Sequence, residues 1–259
     1  MYNNLLVENQ NGILIITINR EDKLNALNIE LLSELKKVVK VVYDDKTIKG
    51  AILTGKGPKA FAAGADIAEF ASFTEKQGIE LSQSGGAIFK SIEECPKPFL
   101  ALNNGFTLGG GCELAMACHM RIATDNAKFG QPEVALGIIP GYGATQRLVQ
   151  LVGKGKALEL LMTGNMITAA EAKDLGLVNY TFASIEEAMD KCKELINKIA
   201  TQGPLAIAKI IDCVNCYFDH NIDGFEEESK LFGASMNTQD FKEGTTAFIE
   251  KRKAVFTGQ

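Results

Sequence analysis

The chain has 259 residues, 46% of them apolar and 23% charged, the balance of an ordinary folded globular protein. Lys+Arg 27 against Asp+Glu 32 leaves a net charge of -5, which disfavours non-specific attraction to nucleic acid or to an anionic membrane. The opening residues lack the basic and apolar segments of a secretory leader, and no apolar run reaches the length of a membrane span, so a cytoplasmic protein is expected.

In chain order, Ile13–Ile18 is a short apolar β-branched run after Asn11-Gly12 and predicts a buried strand. Leu27, Leu31, Leu35, Val38, Val39 and Val42 form the stripe of an amphipathic helix, with Asn28 as its cap. Residues 48–54 predict a strand stopped by Gly55-Lys-Gly-Pro58, and residues 67–73 begin a helical stretch. Residues 78–94 predict a helix ending before Pro96 and Pro98. Phe99–Asn103 predicts a strand, residues 109–118 a helix rich in small residues, and Met120–Thr124 another strand. The alternation argues for an α/β core. Beyond about residue 184 strand signals cease, and residues 185–200, 205–218, 222–236 and 240–252 suit helices. Phe225, Ser229, Phe232 and Met236 fall on one face of the third of these. Such a tail must pack on its own core or on a neighbouring subunit.

Six cysteines, at 95, 112, 118, 192, 213 and 216, read as reduced thiols. Cys213 and Cys216 make a C-x-x-C with no second ligand pair, which reads as two thiols on a helix. With only His119 and His220 there is no His-rich site, and no metal is expected. Gly50 to Gly57 imitates a phosphate-binding loop, but Gly57 stands where a hydroxyl should hold Mg²⁺ and the intervening residues read as strand. Gly141-Tyr-Gly143 lacks the third glycine of a dinucleotide fingerprint.

Two other glycine clusters point to chemistry. Phe61-Ala-Ala-Gly64-Ala65-Asp66-Ile67 and Gly105-Phe-Thr-Leu-Gly109-Gly110-Gly111-Cys-Glu113 each place small residues at an expected helix start. There, backbone N–H groups without intrahelical partners can meet a ligand and a developing negative charge. Two such termini facing each other would bind one oxyanion; the alternative is that the glycines serve close helix–strand packing. Glu113 and Glu133 both sit in apolar surroundings, unlike most glutamates. If both face one pocket, mutual repulsion should keep a proton on one of them and supply an acid/base pair. The alternative for each is an ion pair with Arg121 or Arg147, or a bond to a backbone amide.

Asn19-Arg20 with Asn25-Ala-Leu27, Ala62-Ala-Gly-Ala-Asp-Ile67, Asn104-Gly105 with Gly109-Gly-Gly-Cys-Glu113, and Phe129-Gly-Gln-Pro-Glu133 together resemble the crotonase (enoyl-CoA hydratase/isomerase) superfamily. Leu136 to Gly141, Thr145 to Leu148 and Ala169 to Val178 continue the match in order along nearly the whole chain. The resemblance implies a spiral of ββα units over residues 1–198 and a helical trimerisation region over 199–259, with trimers or hexamers as the assembly. It implies an acyl-CoA thioester substrate and no cofactor beyond the coenzyme A carried by that substrate. Ala65 and Gly110 would supply the oxyanion-binding N–H groups, and Ala63, Gly64, Ala65, Asp66, Ile67, Gly109 and Gly110 would contact substrate. Glu113 and Glu133 would be catalytic and Gly141 would hold the water. Both glutamates being present favours a hydratase of short enoyl-CoA, such as crotonyl-CoA. The alternatives are a 3-enoyl-CoA isomerase and a non-catalytic RNA-binding relative. Phe70, Phe73 and Phe89 are candidates to shorten the acyl pocket. His119, on another helix face from Glu113, reads as structural.

Overall fold

A computed structural model describes residues 2–259. The chain opens with a hairpin that periodicity alone did not reveal: β1 (Leu5–Gln10) pairs antiparallel with β2 (Ile13–Ile18). Asn11 and Gly12 turn it, both at positive φ (56° and 88°), the geometry that suits a two-residue hairpin loop. Helix α1 (Ile29–Asp44) begins at Asn28, whose side chain accepts from Leu31 N at 2.9 Å. It buries Leu31, Leu35, Val38 and Val42 as the spacing predicts.

Three turns of a ββα unit follow. The first is β3 (Gly50–Gly55), β4 (Ala60–Ala63) and α2 (Glu75–Glu93). The second is β5 (Phe99–Asn103), β6 (Phe106–Leu108) and α3 (Gly110–Ala117), and the third β7 (Met120–Thr124), β8 (Lys128–Gly130) and α4 (Ala144–Val152). The leading strand of each turn enters a six-stranded sheet ordered β1-β2-β3-β5-β7-β10, where β10 is Tyr180–Phe182. The second strand enters a four-stranded sheet ordered β4-β6-β8-β9, where β9 is Ile167–Thr168. Pairing from β2 through β3, β5 and β7 to β10 is parallel, as is β4 to β6 to β8, so the chain winds as an α/β spiral that advances one strand per turn. The step between sheets is held by Asn104, whose buried amide donates to Gly55 O at 2.7 Å and accepts from Gly55 N at 3.1 Å.

Between the third turn and β10 lie α5 (Lys154–Thr163) and α6 (Ala169–Asp174). Helix α7 (Ile185–Ile199) buries Ala188, Cys192 and Ile196 against Ile52, Leu100 and Ile122 of the large sheet. The other face of that sheet packs Leu53, Ala101 and Phe99 with α1, α2 and α3.

Residues 67–73 do not begin a long helix. They form a single 3-10 turn, Ile67–Glu69, and α2 starts afresh at Glu75 behind a Thr74–Gln77 capping box. The phosphate-loop look-alike is strand β3 in mid-sheet.

The tail comprises α8 (Pro204–Cys216), α9 (Gly224–Ser235) and α10 (Gln239–Ile249). Helices α8 and α9 pack on each other but neither has a buried residue. Phe225 is 87% exposed, Phe232 67% and Phe248 85%. All six cysteines are free thiols. Among the described residues no helix is long and apolar enough to cross a membrane, and no cluster of three His, Cys, Asp or Glu could hold a metal.

Candidate active site

The loop after β4 is zippered to the segment before α1. Leu27 N donates to Gly64 O at 2.8 Å and Asp66 N donates to Leu27 O at 2.8 Å, while Ala63 N donates to Leu24 O at 3.0 Å. Leu27 and Ala65 thus form a one-residue parallel bridge. In such a bridge Gly64 and Asp66 turn their polar groups to Leu27, and Ala65 turns its own N–H the other way. That N–H donates to no acceptor among the described residues. The Asn25 amide anchors the near side, donating to Ala60 O at 2.7 Å and Lys56 O at 3.0 Å.

Opposite lies the start of α3. Its three glycines divide the two readings of the sequence between them. A side chain at Gly111 would collide with Ala62 O, so that glycine serves helix–strand packing. Gly109 has φ +48°, and a Cβ there would stand 2.8 Å from Glu133 Oε1 and 3.5 Å from Gly64 Cα. Gly110, the first helical residue, has no intrahelical acceptor for its N–H, and a Cβ on it would lie 3.5 Å from Ala65 N and 3.5 Å from the Tyr142 ring. The N–H groups of Ala65 and Gly110 therefore border one small space. Only the Gly110 side is a true helix terminus. The Ala65 side, expected to be one, is a bridge followed by a single 3-10 turn, so its N–H is presented by strand-like alternation without a helix dipole.

Both glutamates reach this space. Glu113, on α3 and 1% exposed, accepts at Oε1 from Tyr142 N at 2.7 Å and Ala144 N at 2.9 Å. Of the structural alternatives weighed for it, the backbone amides are the ones realised. They take only one oxygen; Oε2 accepts from no protein donor among the described residues. Glu133, half-buried in the 3-10 segment Pro132–Leu136, stands against Gly109. The Gln131 amide, oriented with its nitrogen toward Glu133, donates to both carboxylate oxygens at 3.1 Å.

Burial pushes the Glu113 carboxyl up to about 7, against the pull of its two amide bonds, and the nearby Glu133 charge adds a smaller push. Burial also raises Glu133. Mutual repulsion, expected to hold the proton, is thus secondary to desolvation.

Gly141 is exposed at the edge of this site, one residue before Tyr142; its C=O accepts from Ser82 Oγ of α2 at 2.5 Å and its N–H donates to no group among the described residues. Asp66 lies on the loop, but its carboxylate is paired with Arg20 at 2.9 Å, so it offers a ligand no free charge. Ile67 is exposed beside it. A small cavity of about 10 Å³ lies between Ala65, Leu27, Phe70, Leu81 and Tyr142. Of the three phenylalanines suspected of shortening an acyl pocket, only Phe70 lines it. Phe89 is wholly buried behind Tyr142, edge-to-face at 5.3 Å, and a side chain at Gly85 of α2 would collide with the same tyrosine ring. His119 accepts from Phe99 N at Nδ1 (2.9 Å) and its Nε2 lies 3.2 Å from Glu93 O; burial drives it down to about 4.

Three participants escaped the sequence reading. Tyr142 and Ala144 act through main-chain amides, which no residue type announces. Gln131 did carry a signal, an amide within the same motif two positions before Glu133.

The profile of the enoyl-CoA hydratase/isomerase family matches residues 8–259, and the chain belongs to that family. Among its relatives, the crotonyl-CoA hydratase of Syntrophomonas wolfei is 45% identical over 256 residues, covering 98% of each chain. The short-chain-enoyl-CoA hydratase of Clostridium acetobutylicum is 44% identical over 252 residues, 97% of this chain and 96% of the relative. The crystal structure of an enoyl-CoA hydratase from Bacillus anthracis superposes with a TM-score of 0.92 at 36% identity, covering 99% of this chain and all of that one.

Proposed function

We propose that the protein is a short-chain enoyl-CoA hydratase that adds water reversibly to crotonyl-CoA. The observation that carries this reading is the meeting of two glutamates and two unpartnered N–H groups around the Gly109–Gly110 turn. The thioester oxygen lies between Ala65 N–H and Gly110 N–H, which polarise it and stabilise the enolate that forms. Water sits between Glu113 Oε2, Glu133 and the Gly141 N–H. As its oxygen bonds C3, Glu113 takes one of its protons and the C2–C3 π pair moves toward the thioester. Glu133 then gives a proton to C2, and dehydration reverses each step. The pair needs one proton between them at the start, and carboxyls raised by burial hold it near neutrality.

The substrate path runs over Ala63, Gly64, Ala65, Asp66 and Ile67 and past Gly109, the coenzyme A belonging to the substrate and no further cofactor taking part. The exposed tail faces support a homotrimer or a hexamer of two trimers, with residues 1–198 as catalytic body and 199–259 as assembly region. Six unpaired thiols suit the reducing cytoplasm.

Glu113→Gln and Glu133→Gln should each lower crotonyl-CoA hydration by about 10²–10⁴-fold with the fold intact, measured by loss of enoyl absorbance. Near-wild-type turnover in either variant would overturn the mechanism. Incubation with 3-enoyl-CoA in ¹⁸O water tests the isomerase alternative, because only hydration leaves label in the product.

A further inference from the structure

We propose that the Arg147–Glu93 ion pair is a positioning device for Glu113: it fixes the turn whose amides grip that carboxylate and so governs how readily the group gains and releases its proton. The proposal rests on the reading of Glu113 as the acid/base group.

The turn Tyr142–Ala144 is held from two sides. Its amides at 142 and 144 donate inward to Glu113 Oε1. Its Tyr142 C=O accepts from Arg147 Nη1 at 2.9 Å, and a side chain at Gly143 (φ +110°) would collide with that same nitrogen, so the guanidinium lies flat against the turn. Arg147 itself is nearly buried, and its other edge forks onto Glu93, Nε to Oε1 at 3.2 Å and Nη2 to Oε2 at 2.9 Å. A bidentate fork fixes the guanidinium plane in a way that a lysine could not.

Glu93 in turn is anchored by elements remote from the chemistry. It closes α2, its C=O accepts from Asn215 Nδ2 of α8 at 3.0 Å, and His119 Nε2 lies 3.2 Å from the same oxygen. The geometry of the acid/base carboxylate thus depends on a helix of the body and a helix of the tail.

The charges around Glu113 make the pair's influence measurable. Facing it are Cys112 on its own helix, Glu133 from the 3-10 segment, the Tyr142 phenol from the turn, and Arg147 from α4, which carries Glu93 of α2 behind it. Burial pushes Cys112 and Tyr142 up to about 12 and His119 down to about 4, so between roughly pH 5 and pH 9 these stay uncharged. Arg147 is a positive charge that favours ionised Glu113, and the two amides of the turn favour it more strongly.

Losing either partner therefore loosens the turn and weakens amide bonds that draw the carboxyl down, whereas charge alone would move the two losses in opposite directions. Protein labelled with ¹³C at glutamate carboxyls gives the Glu113 titration directly, its resonance assigned by loss in Glu113→Gln. Arg147→Gln and Glu93→Gln should both raise the midpoint, each by on the order of one pH unit. Arg147→Lys, which keeps the charge without the fork, should leave most of the Arg147→Gln change in place. The acid limb of kcat should move with the midpoint while KM changes less than about twofold. A lowered midpoint in Glu93→Gln, no movement in either variant, or full rescue by Arg147→Lys overturns the proposal. If Arg147→Gln does not fold, Glu93→Gln decides alone, an unmoved or lowered midpoint being the overturning result. Because the titration is read without turnover, full activity in Glu113→Gln would remove the catalytic reading and leave this test standing.

Discussion

The chain up to Ile199 and the three helices after it carry the same kind of apolar periodicity and dispose of it in opposite ways. Helix α1 hides Leu31, Leu35, Val38 and Val42 completely, whereas α8 and α9 hide nothing and leave Phe225 and Phe232 in the open. Patterning sets which face of a helix is apolar; what covers it is decided by the space around it. In the body the covering surface is a sheet that stacks one strand per turn. In the tail, no described residue of the subunit buries Phe225, Phe232 or Phe248, and contiguous apolar area is unfavourable to leave in water. The difference teaches that the candidate site is built wholly within the body, while the tail presents apolar faces of the kind the proposed assembly would bury.

Breaking the site should cost most. Gly110→Pro deletes an N–H proposed to bind the oxyanion, at the first helical position, where proline's fixed φ is tolerated and where a new Cβ meets only ordinary contacts. It should lower kcat by about 10²–10³-fold in steady-state assays with crotonyl-CoA, with unchanged circular dichroism. Gly111→Ala strikes the same cluster through packing, because its methyl would collide with Ala62 O. It should destabilise the subunit by about 1–3 kcal/mol in urea unfolding, roughly a tenth or more of a domain's stability.

Acidity should sharpen the contrast next. On the proposed mechanism Glu113 is the base in hydration, and burial holds it at about 7, so the group is ionised above that pH and protonated below it. Hydration should therefore fall about tenfold per unit as pH drops below about 7, and a profile flat down to pH 5 would exclude this base. The smallest effect on the isolated fold should come from Phe225→Asp combined with Phe232→Asp. Both positions are exposed, so subunit stability should change by less than about 0.5 kcal/mol while the assembly mass by light scattering drops.

Much of this was legible beforehand, for identifiable reasons. Long amphipathic stretches such as α1, and β-branched runs such as β2 and β5, repeat often enough to declare their period. Strands β6, β8 and β10 are three residues each and β9 two, too short for any period to register. The capping box Thr74–Gln77 stood in the sequence and would have moved the start of α2 from 78 to 75; the apolar residues 67–73 drew attention away from it. At the site, side-chain chemistry was visible in Glu113, Glu133 and the glycines. The main-chain grip on Glu113 was not, because an amide in the Gly141–Ala144 turn looks the same in every residue.

The tyrosine seated on Gly85 has a bearing on how this protein can be hardened against heat. Replacing helical glycines by alanine ordinarily gains about 0.5–1 kcal/mol each by restricting the unfolded chain. Helix α2 offers three such positions, and they are unequal: Gly78 and Gly86 face open space, while Gly85 is the floor on which the Tyr142 ring rests. A thermostable variant is therefore available from the first two without disturbing Tyr142. The same swap at the third would lift that ring and displace the turn that grips Glu113, trading endurance for the geometry of the candidate site.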